Sequence, residues 1–131
     1  TYYARGGFLA GETRRRRQPV VGNGAGVFSF CHVEDAASAT VAAVESPAIG
    51  VLNVCDDEPA PMKEWLPVYA AAIGAKPPRH IPRFVARLVA GASAAGMATR
   101  MRGSSNARAK AELGWRPRYA SWRQGFTEAL G

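Results

Sequence analysis

Between Phe28 and Cys55 the apolar pattern changes period twice, and that alternation is the tightest constraint on how this chain folds. The stretch FSFCHV (28–33) mixes aromatic and β-branched residues as a strand does. From Val33 onward, Ala36, Ala37, Thr40, Val41 and Val44 recur at the i, i+3, i+4 spacing of one helical face, and Glu34 and Asp35 place negative charge in the first turn, where the helix dipole favours it. Ser46-Pro47 closes that helix. GVLNVC (50–55) follows as a short apolar strand of the kind buried on both faces of a parallel sheet. Strand, helix and strand in this order predict an α/β domain.

The flanks extend the pattern. Residues 7–17 read as a helix that Pro19 stops, and Val20–Val21 as a short extended piece. Residues 56–61 form a loop whose Pro61 opens a helix at its first position, with Met62, Trp65, Leu66, Tyr69, Ala72 and Ile73 on one face and Gly74 at the stop. Pro67 inside it predicts a kink or a tight first turn. KPPRHIP (76–82) is extended, because residues ahead of proline are pushed out of the helical region. A further amphipathic helix carries Phe84, Val85, Leu88, Val89 and Ala92 and is weakened by Gly91 and Gly96. Ser105 caps a helix running through Leu113 to Gly114, and Ser121 with Gln124 makes an S-x-x-Q capping box for a last helix bearing Trp122, Phe126 and Leu130. At 131 residues the whole, 1–131, fits a single domain.

The run PVVGNGAGVFSF invites comparison with a phosphate-gripping loop. Such a loop needs G-x-G-x-x-G between a strand and a helix, so that the helix N-terminus aims N–H groups at the pyrophosphate. Here Gly22, Gly24 and Gly26 are spaced by single residues, and a strand pattern follows where the helix should stand. Asn23-Gly24 reads instead as a tight turn, in a hairpin or a loop. Redox catalysis by a tyrosine needs a lysine one helical turn later to lower the phenol pKa, and none of Tyr2, Tyr3, Tyr69 or Tyr119 has one. The two histidines, His32 and His80, lie in no metal-binding or nucleophile motif. No catalytic residue, cofactor-binding residue or metal ligand is expected in this chain.

Composition narrows the setting. No apolar run approaches the roughly 20 residues that span a bilayer, which predicts a soluble protein with a cytoplasmic default. Cys31 and Cys55 sit in apolar runs without metal or disulfide-scaffold spacing and read as buried reduced thiols. The net charge of +7 comes from fourteen arginines and three lysines, an excess that suits either a solvated surface or an anionic partner. The densest run, residues 14–17, falls where cations favour a helix C-terminus.

Three segments taken in order resemble the C-terminal third of the NAD(P)-dependent epimerase/dehydratases, the extended short-chain dehydrogenase/reductase family. They are F-x-H-V-x-D-x-A (Phe30, His32, Val33, Asp35, Ala36), G-V-x-N-V (Gly50, Val51, Asn53, Val54) and N-A-x-A-x-x-x-L-G-W-x-P (Asn106, Ala107, Ala109, Leu113, Gly114, Trp115, Pro117). The resemblance implies a small mixed α/β C-terminal domain that lacks the nucleotide-binding Rossmann core, with NAD or NADP bound by a full-length parent. It implies a substrate-binding role in which His32, Asp35 and Asn53 line or brace the cleft and Arg102 and Asn106 stand in a nearby loop, Arg102 as an anion contact. Family members that use nucleotide sugars commonly carry arginine where this chain has Phe28, which argues against such a substrate.

The expected partners are a small-molecule substrate in the parent enzyme and either the missing Rossmann portion or a second copy of this chain. Membrane association is not expected. The alternative is a non-enzymatic basic module that binds nucleic acid or another anion. It is disfavoured because the arginines are scattered over several elements without interleaved exposed aromatics.

Overall fold

The computed structural model describes residues 1–130. Its elements run β1 (Tyr2–Tyr3), α1 (Phe8–Arg14), β2 (Val20–Val21), β3 (Val27–Phe28), β4 (Cys31–His32), α2 (Val33–Val44), β5 (Ala60–Pro61), α3 (Met62–Ala72), β6 (His80–Ile81), α4 (Arg83–Arg100), α5 (Ala107–Leu113) and α6 (Trp122–Leu130). The strands form three separate pairs: β1 parallel to β4, β2 parallel to β6, and β3 antiparallel to β5. The domain is small and mixed α/β, with no complete Rossmann sheet among the described residues. No helix among them is long and apolar enough to cross a membrane.

The main core lies where α3 meets α6. Trp65, Leu66 and Tyr69 of α3 and Trp122 and Phe126 of α6 are fully buried around Phe30. Their rings meet edge-on, Phe30 to Trp65 at 5.1 Å, Phe30 to Phe126 at 5.4 Å and Tyr69 to Phe126 at 4.9 Å. Each such pair adds about 0.5–1.5 kcal/mol beyond area burial. A smaller cluster of Ala39, Ala109 and Trp115, flanked by Leu52, Val54 and Leu113, joins α2 to α5. There the Trp115 indole donates to Ser38 Oγ at 2.9 Å.

The glycine run is a packing junction. The carbonyls of Gly26 and Gly24 accept the N–H groups of Met62 and Lys63 at 2.9 and 3.1 Å, satisfying the first turn of α3. Gly26 also donates to the Ala98 carbonyl of α4, and a Cβ at Gly26 would lie 2.5 Å from that oxygen. The loop therefore presents acceptors to a helix, where a phosphate site presents donors.

Several expectations are corrected. The first helix stops at Arg14, because Arg16 turns to φ 56°. FSFCHV is two short strands with different partners, split at Ser29 and Phe30, and Val33 already belongs to α2. Of the two settings expected for the Asn23-Gly24 turn, the loop is the one found, since β2 and β3 pair elsewhere. GVLNVC is in no strand pair, because no neighbouring strand exists for it among the described residues. The apolar face of α2 points outward, leaving Val33, Val41 and Val44 exposed, while Asp35 and Ala39 are buried.

Helix ends also differ by small shifts. Pro61 is the N-cap of α3, and α3 continues through Pro67. The N-cap of α5 is Asn106, one residue after the expected Ser105. Ser121 accepts from the Arg123 N–H, but Gln124 donates to Glu128 in place of closing the capping box. The helix expected around Phe84 to Ala92 continues to Arg100, across a break at Gly91 with φ 87° and ψ 167°, a conformation open mainly to glycine.

Candidate functional site

His32 and Asp35 enter on the β4–α2 junction. His32 is the N-cap of α2, its Nδ1 accepting the Glu34 N–H at 3.3 Å, and its ring packs edge-on against Tyr3 and Tyr119 at 5.2 and 4.8 Å. Asp35 is buried, with Oδ1 accepting the N–H of Arg118 at 2.6 Å and Oδ2 that of Tyr119 at 3.2 Å. Both side chains thus converge on residues 118–119 and fix the approach to α6. Charge-assisted bonds of this kind contribute about 1.5–3 kcal/mol each.

Asn106 belongs to a second group. It is buried, and its Nδ2 donates to the Cys55 carbonyl and to Asp57 Oδ1, each at 2.7 Å. Lys110 grips the same Asp57 carboxylate, and these bonds hold its pKa below the usual carboxylate range. Ser104 joins the group through its carbonyl, which accepts from Cys55 Sγ at 3.6 Å, while its N–H donates to Ser29 Oγ at 2.8 Å. Arg102 and Asn53 are exposed, Arg102 in the loop ahead of α5 and Asn53 on the unpaired ribbon after α2. The five expected site residues therefore fall into two braced clusters and two exposed positions. Cys31 and Cys55 are buried free thiols, and burial pushes Cys31 up to about 12.

A further cleft lies on α4. The break at Gly91 divides the helix, and Arg83, Phe84, Arg87, Ala92, Ala95 and Arg100 line a cavity of about 640 Å³. None of the three guanidinium groups has a hydrogen-bond or ion-pair partner among the described residues. Three other exposed arginines do have carboxylate partners: Arg108 with Glu112, Arg118 with Glu34, Arg123 with Glu58 and Glu64. None of the five expected residues lines this cleft. A readable signal did exist, since no Asp or Glu occurs between Glu64 and Glu112 while eight Lys and Arg do.

Helices gathered on short strand pairs in this order match the C-terminal portions of epimerase and short-chain dehydrogenase/reductase-fold chains of known structure. No family model matches the chain. Among individual proteins, a 3-diazoavenalumate denitrifying reductase from a Streptomyces species is 49% identical over 126 residues, 96% of this chain and 41% of the reductase. The human epimerase family protein SDR39U1, solved with NADPH, matches with a TM-score of 0.76 at 24% identity, over 98% of this chain and 45% of that one. A functionally unknown conserved protein from Silicibacter pomeroyi matches at 0.73 and 31% identity, over 96% of this chain and 43% of its own. The chain thus spans less than half the length of each of these relatives.

Proposed function

We propose that this chain is the substrate-binding part of an NAD(P)-dependent reductase or epimerase, and that turnover requires a nucleotide-binding portion supplying cofactor and proton donor. The observation that carries the reading is the side formed by α2 and the ribbon after it. Val44, Ile49 and Val51 there are 81%, 84% and 84% exposed, and residues 51–55 pair with no strand. A segment without a strand partner beside exposed apolar side chains is what a sheet edge leaves when its neighbour is elsewhere. The 49% identity to a reductase supports the same reading.

The residues present do not fit a dinucleotide. The glycine run spends its carbonyls on α3 and its close approach on α4, so NAD or NADP would be held outside this chain. Asn53 and Arg102 are the exposed members of the expected set, whereas His32, Asp35 and Asn106 brace the fold. A cytoplasmic setting suits the reduced, buried thiols. When the chain is alone, a second copy is the partner that would cover the apolar side.

A chimera tests this. The matching segment of the Streptomyces reductase is replaced by this chain, and oxidation of NADPH and NADH is followed with 3-diazoavenalumate, the substrate in that enzyme's name. A folded chimera that binds cofactor and turns over is expected. A folded, cofactor-binding chimera without turnover, or saturable micromolar binding of NADPH by the isolated chain, overturns the reading.

A further inference from the structure

We infer that the cleft on α4 binds a planar aromatic carboxylate, its carboxylate gripped by Arg83, Arg87 and Arg100 and its ring lying on Phe84 over Ala92 and Ala95. The inference rests on the reading of this chain as a substrate-binding part and gives that part its ligand class.

Charge comes first. Three guanidinium groups share one cleft with no carboxylate to offset them, in a segment that contains no acidic residue for 47 positions, 65–111. Like charges held together repel, and an anion between them removes that cost. Arginine forks match a carboxylate with two parallel bonds, which fixes orientation as well as charge.

Shape supplies the rest. The cavity, about 640 Å³, lies within the usual 300–1,000 Å³ range of small-molecule sites. Phe84 is 67% exposed at its wall, an apolar ring left in water beside the cations. Ala92 and Ala95 complete the lining with small apolar side chains. An inorganic anion would use the arginines alone, whereas a ring bearing a carboxylate uses the arginines, Phe84 and the two alanines together. The break at Gly91 makes the arrangement possible, because it lets Arg100, seventeen positions beyond Arg83, line the same cleft.

The test uses the 131-residue chain labelled for amide and arginine side-chain NMR, titrated with 4-hydroxycinnamate, with its methyl ester and with inorganic phosphate. The acid is expected to give saturable shifts at Arg83, Arg87, Arg100 and around Phe84. The double variant Arg83→Gln/Arg87→Gln is expected to weaken binding about tenfold or more, as loss of charged hydrogen bonds does. Both side chains are exposed, so its melting curve should match the parent's, and Arg15→Gln, just past α1, should bind like the parent. The inference fails if the ester binds as well as the acid, if phosphate binds as tightly as the acid, if shifts centre elsewhere, or if no saturation occurs. It also fails if a short DNA duplex displaces the acid with an affinity that falls steeply with salt, the mark of counterion release. The titration needs neither cofactor nor turnover, so a failure here leaves the chimera result standing, and an inactive chimera leaves this result standing.

Discussion

Asp56 is held at 3% exposure, its Oδ1 accepting the Glu58 N–H at 3.4 Å and its Oδ2 lacking a close partner. Burial pushes its carboxyl up to about 7, against partial relief from backbone hydrogen bonds. In the folded chain Asp56 therefore keeps a proton that the unfolded chain releases near its ordinary value of 3.8. Between those two values the folded state binds more protons, so stability falls as pH rises and levels off above about 7. Asp57 next door has the opposite sign: its depressed pKa contributes stability above the ordinary carboxylate range that is lost as pH falls through the folded value. Asp56→Asn is expected to flatten the decline and to melt higher than the parent at about pH 8. Thermal melts from mildly acidic to mildly basic buffer check this, and parallel curves for the two proteins would contradict it. Asp35 shows how far a single residue could be read in advance. Its placement in a first turn was legible from spacing, but its bonds to the N–H groups of residues 118 and 119 were not, because they cross 83 and 84 positions of sequence.

At the scale of elements, two glycines in or beside α4 should respond in opposite directions. Gly26→Ala places a methyl 2.5 Å from the Ala98 oxygen and 2.6 Å from that of Met97, both backbone atoms that cannot swing away. A loss of about 1–3 kcal/mol is expected, as for other overpacked sites. Gly96→Ala meets nothing within 4 Å inside a helix, and a gain of about 0.5–1 kcal/mol is expected from propensity alone. Urea unfolding of the two variants distinguishes them, and equal effects would refute the packing role of the glycine run. The helices α2, α3, α5 and α6 were legible because capping residues, Gly74, Gly114 and apolar spacing are local signals. The pairing of the two-residue strands was not, because each pair joins residues distant in sequence, Tyr2 with Cys31 and Val20 with His80. The pattern on α2 correctly marked the residues that want cover. It carried no information on whether the cover lies within these 131 residues.

On the scale of the whole molecule, apolar surface is distributed unevenly. The core closes around α3 and α6, while Val33, Val41 and Val44 of α2 and Ile49 and Val51 after it remain in water. The isolated chain is expected to self-associate at micromolar concentration through this side, and Val41→Glu/Val44→Glu to return it to a monomer without lowering its melting temperature. Light scattering reads both, and a parent that stays monomeric removes the argument. Within that side, Arg108 spans α5 and the ribbon: its guanidinium donates to the carbonyls of Ile49 and Val51 at 3.2 Å each and to Glu112. A staple of that sort keeps the loose border stretched in near-final shape, so that an arriving neighbour would forfeit little disorder on zipping to it. Cutting the staple should therefore slow the arrival more than it weakens the union that results.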